Sequence, residues 1–425
     1  MENRTQALPG PFARFAILFG SALVLWFAFF WINAPSERFN AILVPLWVLN
    51  FFLSGRKLDP KMIVVGAGFG IGVLAFNLIG SYQAVQMGAR LAWTEPFQKF
   101  YFTAGLFVLY GMLCSVLNAL IALIPAAREL LVAPRGWWLR TLRTGIAISI
   151  FAPFIFVSFN IHRFKYASNA DPMSVCKLPF QAVSFATDDG ENLQGWFVPR
   201  QNSSKTIVVV HGVGSNRGDS LTVLPFLHKG GFNVFLFDLR GHGDSSGHTI
   251  SFGVNEGHDV AAAVHWAKQQ PGGQKVGVLA YSMGASSALH AVGENGLPEA
   301  NALVLDSTFS EFAPLVKGQT NFLPAGAANA SLKVLDFYTR LELGFGLDSI
   351  SPGQYIDKIS PRPVLIIHGT SDTLIPPSQA RQNFARAKQP KQIYWIEKAW
   401  HCAGYQVDGA KYEKTVVAFF NESLN

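Results

Sequence analysis

The sequence predicts two architectures in one chain: an α-helical transmembrane bundle over residues 1–161 and, over 179–425, an α/β domain built on an eight-stranded, mostly parallel sheet. Three observations predict this. Five long apolar runs precede Ile161. From Pro179 the texture changes to short β-rich runs alternating with helical patterns, as in strands joined by crossover helices. The charge divides at the same place: 12 Lys and Arg stand against 5 Asp and Glu through Ile161, a net of +7, and 22 against 22 beyond it. The basic excess flanks apolar runs rather than forming a stripe, so it reads as membrane topology and not as nucleic-acid binding.

The apolar runs are 12–32, 39–53, 62–80, 101–124 and 145–161. A helix needs about 20 residues to cross the hydrocarbon core. The first, third and fourth runs meet that length; the second is shorter and carries Pro45 and Asn50, and the fifth carries Pro153. The first has no A-x-A cleavage site after it and reads as an uncleaved anchor. Arg56, Lys57 and Lys61 follow the second run, and Arg128, Arg135, Arg140 and Arg143 precede the fifth. Both loops are therefore expected in the cytoplasm, and crossing the fifth run places the C-terminal domain outside, in the periplasm if this is a bacterial inner-membrane protein. If the fifth run is interfacial instead, that domain is cytoplasmic.

The runs hold no Asp, Glu or Lys, and Arg only at position 14 near the start of the first. Ion and proton pathways place ionisable groups on their spans, so the pattern argues for anchoring over transport. GAGFGIG at Gly66–Gly72 has glycines at alternate positions, which no reading fits to G-x-G-x-x-G, and it lies inside a run; close packing of helices in lipid explains it better than a nucleotide. No cofactor is expected. Cys114, Cys176 and Cys402 lack metal-ligand spacing and are expected as free thiols, with no metal site. Residues 162–178 are expected as a linker.

The soluble elements follow in order. FQAVSF, a turn at Asp188-Asp189-Gly190 and LQGWFV predict an opening antiparallel hairpin. TIVVVHG, NVFLFDL, KVGVLAY, ALVLDS, PVLIIHG and KQIYWIE each supply an apolar strand ending in small or polar residues. Between them, 256–270 has Val260, Val264 and Ala267 on one helical face, and 331–343 has Val334, Leu335, Tyr338 and Leu341 at helical spacing. A cap of about 309–358 is expected before the seventh strand, where Phe309, Phe312, Phe322 and Leu323 could line a pocket or form core.

Ligands of such a sheet bind beyond the carboxyl ends of its strands. There stand Ser282, on a strand-to-helix turn within Ala280-Tyr281-Ser282-Met283-Gly284, Asp372 in HGTSD after the seventh strand, and His401 after the eighth. A serine hydroxyl needs a base to attack and an imidazole needs a carboxylate to fix its tautomer, so these types in this placement point to nucleophilic catalysis. Each could also be a helix cap or a loop residue. Asp306, after the sixth strand, is the alternative acid. His211, His242 and Asp238 are expected to shape their loops.

The order Ser, Asp, His, with HGVGSN at His211–Asn216, FDLRGHGDSSG at Phe237–Gly247 and HGTSDTLIP at His368–Pro376, resembles the α/β-hydrolase superfamily, and within it the monoacylglycerol-lipase and serine-aminopeptidase-like hydrolases. The resemblance covers roughly Pro179 to the C-terminus, and the pentapeptide departs from G-x-S-x-G by Ala280. It implies Ser282, Asp372 and His401 as the triad and the N–H groups of Val213 and Met283 as oxyanion donors. The function then expected is a membrane-anchored serine hydrolase cleaving esters or thioesters of a small-molecule or lipid acyl substrate beside membrane lipids. The alternatives are a serine peptidase or amidase and a non-catalytic binding or sensory protein. The sequence leaves the substrate and the oligomeric state open.

Overall fold

The computed structural model describes residues 165–318 and 325–425, together with 89–90, 124, 153, 156–158 and 160–163. The expected spans fall outside the described residues apart from Ile124 and part of 145–161. No helix among the described residues is long and apolar enough to cross a membrane. The chain divides into two compact units, one of residues 1–87 and 91–156 and one of 88–90 and 157–425.

The second unit is built on eight strands: β1 (Gln181–Ala186), β2 (Asn192–Val198), β3 (Lys205–Val210), β4 (Asn233–Phe237), β5 (Lys275–Tyr281), β6 (Ala300–Asp306), β7 (Val364–Gly369) and β8 (Lys391–Ile396). Their spatial order is β8-β7-β6-β5-β3-β4-β2-β1. β1 and β2 form the expected hairpin, β2 runs antiparallel to β4, and β3 to β8 are parallel. Burial follows position. β3, β4, β5 and β7 are nearly continuously buried, as strands covered on both faces must be, while the edge strands β1 and β8 alternate.

Successive side chains of a strand point to opposite faces, so the sheet separates two cores. Val208, Val210, Val276, Val278, Leu303 and Leu305 face α2 (Glu256–Gln269) and α3 (Met283–Asn295). Ile207, Val209, Leu279, Val304, Leu365 and Ile367 face α1 (Leu224–Lys229) and α7 (Gly409–Ser423). α2 buries Val260, Val264 and Ala267 as its spacing predicts.

Between β6 and β7 lie α4 (Phe312–Gly318), α5 (Ala325–Leu343) and two 3-10 turns, Leu347–Ser349 and Pro352–Ile359. α6 (Pro377–Arg386) follows β7. α5 starts six residues before the expected 331 and buries Ala328, Leu335 and Thr339. Leu341, expected at helical spacing with Leu335, is 67% exposed. At 100° per residue it lies 240° around the helix from Leu335, outside the stripe that a single covered side allows. A third cluster joins Phe309, Val316, Leu335, Leu347, Ile350 and Ile375 to Val157 and Ile161, so the end of the fifth apolar run packs in this unit. The expected linker 162–178 carries a two-residue strand, Ala167–Ser168, paired with Ala89–Arg90, and a helical turn, Pro172–Cys176, with Asp171 and Ser174 as capping box.

Candidate active site

The β5–α3 junction is forced into a tight turn. Ser282 has φ 51° and ψ −115°, a backbone that non-glycine residues rarely adopt. Such a bend brings the ends of strand and helix so close that only small neighbours fit. A Cβ on Gly284 would lie 2.5 Å from the His211 carbonyl oxygen and 2.7 Å from that of Val210. Ala280, two residues before the serine, fits its methyl group fully buried, which is why alanine serves where the motif has glycine. The Ser282 N–H donates to the Asp306 carbonyl at 2.8 Å, tying the turn to β6.

The loops after β7 and β8 bring the other two residues to that turn. His401 Nε2 lies 2.9 Å from Ser282 Oγ, and its Nδ1 lies 2.8 Å from Asp372 Oδ2. Ser282 is 8% and Asp372 2% exposed, so the chain of bonds is screened from water. Asp372 Oδ1 accepts the N–H groups of Leu374 at 3.0 Å and Ile375 at 2.8 Å. With Oδ1 so engaged, Oδ2 is left for the imidazole, which then carries its proton on Nδ1 and presents Nε2 as an acceptor to the serine hydroxyl. This arrangement can take the serine proton during attack and hold the resulting imidazolium against a carboxylate.

The N–H groups of Val213 and Met283 have no hydrogen-bond partner among the described residues. Met283 opens α3, where the helix leaves its first N–H groups free. Val213 lies in the turn after β3, and the preceding Gly212 sits against the serine: a Cβ there would be 3.3 Å from Ser282 Cβ.

A model of the family described as alpha/beta hydrolase fold matches residues 205–326. The chain is 30% identical to YqkD of Bacillus subtilis over 233 residues, 55% of this chain and 76% of that one. The chain belongs to the α/β-hydrolase fold family. This hydrolase is also 29% identical over 252 residues to YfhR of Escherichia coli K12, which covers 58% of it and 82% of YfhR. Among solved structures, the Pyrococcus furiosus esterase Pf2001 aligns with 62% of the hydrolase and 99% of its own chain, at 25% identity and a TM-score of 0.50.

Asp306, the alternative acid, is not the partner of His401 in this hydrolase. Its carboxylate accepts the Tyr412 hydroxyl at 2.7 Å and the Ser307 hydroxyl at 2.9 Å. Burial raises it to about 6, opposed by those hydrogen bonds. Three further residues near the site have no role that the sequence alone assigns. Ser307 Oγ accepts the Cys402 N–H at 3.1 Å, next to His401. Tyr412, from α7, reaches Asp306 and meets Tyr281. His368 Nε2 donates to the Ile375 carbonyl at 2.9 Å within the loop that holds Asp372.

The loop residues behave as expected. Asp238 accepts the Arg217 N–H at 2.7 Å, Arg217 Nη1 at 2.8 Å and the Asp244 N–H at 2.9 Å, and burial raises its carboxyl to about 6 against the Arg217 charge. Phe309 is core and lies tilted against Phe312, which packs on Phe252; Phe322 and Leu323 lie outside the described residues. Cys176 and Cys402 are free thiols, and Cys114 lies outside the described residues. Asp188, Asp189 and His258 come close enough to share an ion, but Arg240 holds Asp189 and Asp188 holds His258.

Proposed function

We propose that this chain is a serine hydrolase of carboxylic esters or thioesters that works through an acyl-enzyme. The observation that carries the reading is the unbroken chain of bonds from Ser282 Oγ through His401 to Asp372, at 2.9 and 2.8 Å. His401 takes the Ser282 proton as Oγ attacks the acyl carbon, then gives it to the leaving alcohol or thiol. Asp372 holds the tautomer and stabilises the imidazolium. The N–H groups of Met283 and Val213 receive the oxyanion, where a lost donor costs about 10² to 10³ in rate. Water activated by the same imidazole then releases the acid. The likeness to an esterase supports esters over amides.

The experiment is a turnover screen of p-nitrophenyl esters of graded chain length beside aminoacyl-naphthylamides. Ester turnover supports the proposal; turnover of the amides alone replaces it with the peptidase reading.

The apolar runs of 1–161 support a membrane anchor, and the arginines at 128, 135, 140 and 143 support placing the hydrolase unit on the side opposite that loop, the periplasm in a bacterial cell. Alkaline phosphatase fused within 162–178 is then active, and fused within 128–143 silent. Silence at both positions moves the unit to the cytoplasm, where the burial of Val157 and Ile161 in protein rather than lipid would explain why the fifth run does not cross.

A further inference from the structure

The turn carrying Val213 is pinned on both sides by two buried histidines to which the mechanism gives no chemical step. His211 Nδ1 lies 2.8 Å from the Gly212 carbonyl, and its Nε2 accepts the Leu239 N–H at 3.0 Å. His242 Nδ1 lies 2.9 Å from the Arg240 carbonyl, and its Nε2 accepts the Gly214 N–H at 3.2 Å. Each ring faces a carbonyl on one nitrogen and an N–H on the other, which only the neutral Nδ1–H tautomer satisfies. Burial lowers both rings, His211 to about 4 and His242 to about 3, so both are neutral near pH 7. The rings meet edge to face with centroids 5.0 Å apart.

These bonds act on the two peptide planes that flank Val213. The Gly212 carbonyl and the Val213 N–H belong to one planar trans peptide and point in opposite directions. That carbonyl accepts both the His211 ring and the Ser215 N–H, at 3.3 Å, so the Val213 N–H is turned away from both donors. The next plane is held through the Gly214 N–H by His242. Gly214 itself is at φ +69°, the left-handed conformation that a type II turn requires at its third residue, and Tyr166 donates to its carbonyl. A rotation of the first plane would redirect the Val213 N–H, and the hold on the second plane keeps the turn from relaxing in that way.

We propose that His211 and His242 are positioning residues that lock the Gly212–Val213 peptide so that its N–H faces the oxyanion formed at Ser282. The inference rests on the hydrolase reading above. It assigns the pair to transition-state binding rather than to substrate binding, so removing either ring's bond lowers kcat and leaves KM nearly unchanged.

The test compares substitutions that keep or lose the bond. Glutamine at 242 carries an acceptor near the place of Nε2, and asparagine at 211 a donor near the place of Nδ1; leucine at either carries neither. On the full-length protein and an ester that the wild type turns over, H242L and H211L are expected to lose about 10- to 100-fold in kcat, within the effect of a lost oxyanion donor. The inhibition constant of a trifluoromethyl ketone bearing the same acyl chain, which binds as a tetrahedral adduct, is expected to rise by the same factor. H242Q and H211N are expected to recover most of both losses. Should a leucine variant not fold, as followed by thermal denaturation, the glutamine and asparagine variants are compared with the alanine variants at their positions. Wild-type kcat and inhibition constants in the leucine variants overturn the inference, as do equal losses in the bond-keeping and bond-losing variants. A wild type that turns over no ester, or a Ser282→Ala variant that turns over as fast as wild type, defeats the hydrolase reading instead.

Discussion

Replacing Asp372 by asparagine changes one oxygen to an amide nitrogen, and the surrounding donors decide which way the amide turns. Oδ1 of Asp372 faces two N–H groups, those of Leu374 and Ile375, at 3.0 and 2.8 Å, while Oδ2 faces His401 Nδ1 at 2.8 Å. If the amide nitrogen took the Oδ1 place, two backbone donors would confront a third donor in a site 2% exposed. If it takes the Oδ2 place, both backbone bonds survive and only the histidine must respond. The second arrangement keeps more bonds. An unmet buried donor costs about 1 to 3 kcal/mol, so it wins by a clear margin. The amide then donates to Nδ1, the imidazole moves its proton to Nε2, and Nε2 can no longer accept the Ser282 proton. The same exchange in a well-studied triad costs about 10⁴ in kcat, or roughly 5 kcal/mol of barrier. Because the fold keeps its contacts, the melting temperature moves little. Steady-state turnover of a short-chain p-nitrophenyl ester, normalised to folded protein, reads the effect. A loss smaller than about tenfold would mean that the base does not depend on this carboxylate.

Asp306→Asn does much less, because the Tyr412 and Ser307 hydroxyls that Asp306 accepts can rotate to meet an amide; kcat falls by less than about tenfold in the same assay. Its signature is in stability. The wild-type carboxyl, raised to about 6 by burial, loses stability as pH rises from the unfolded value of about 3.8 through 6, so the asparagine variant gains on wild type by up to about 3 kcal/mol between pH 4 and 7 in urea titrations. His290 gives the opposite sign: it is 2% exposed, its Nε2 has no partner among the described residues, and burial lowers it to about 4. Wild type therefore loses stability as pH falls from the unfolded value of about 6.5 towards 4, and His290→Leu gains about 2 kcal/mol on it between pH 7.5 and 5, whereas parallel pH curves would mean that the ring is not held neutral.

What was legible in the sequence was steric and topological. Small residues at 280 and 284 around a serine at the end of KVGVLAY follow from the closeness of Gly284 to the Val210 and His211 carbonyls, and that constraint is local. Asp372 and His401 were legible because each ends a strand whose apolar run is plain, and parallel strands deliver their ends to one edge. The sequence alone does not choose between Asp372 and Asp306, since both end strands; in space Tyr412, from a helix 106 residues later in the chain, donates to Asp306, while His401 meets Asp372. Ser307 escaped for the same reason, because its role depends on meeting the Cys402 N–H. Helical spacing alone does not say how wide a stripe of α5 is covered, and Leu341 lies outside it. At the end of the fifth apolar run, Val157 and Ile161 look like lipid-facing residues in the sequence, and only the fold sets Leu335 and Phe309 beside them.

Ser282 is proposed as the nucleophile. A fluorophosphonate probe incubated with the full-length protein, followed by peptide mass spectrometry, measures it directly, because the phosphonate is transferred only to a serine whose proton a neighbouring base removes. A single adduct is expected on the peptide containing Ser282, abolished in Ser282→Ala and strongly slowed in His401 variants. An unlabelled wild type, or equal labelling of the alanine variant, would contradict it.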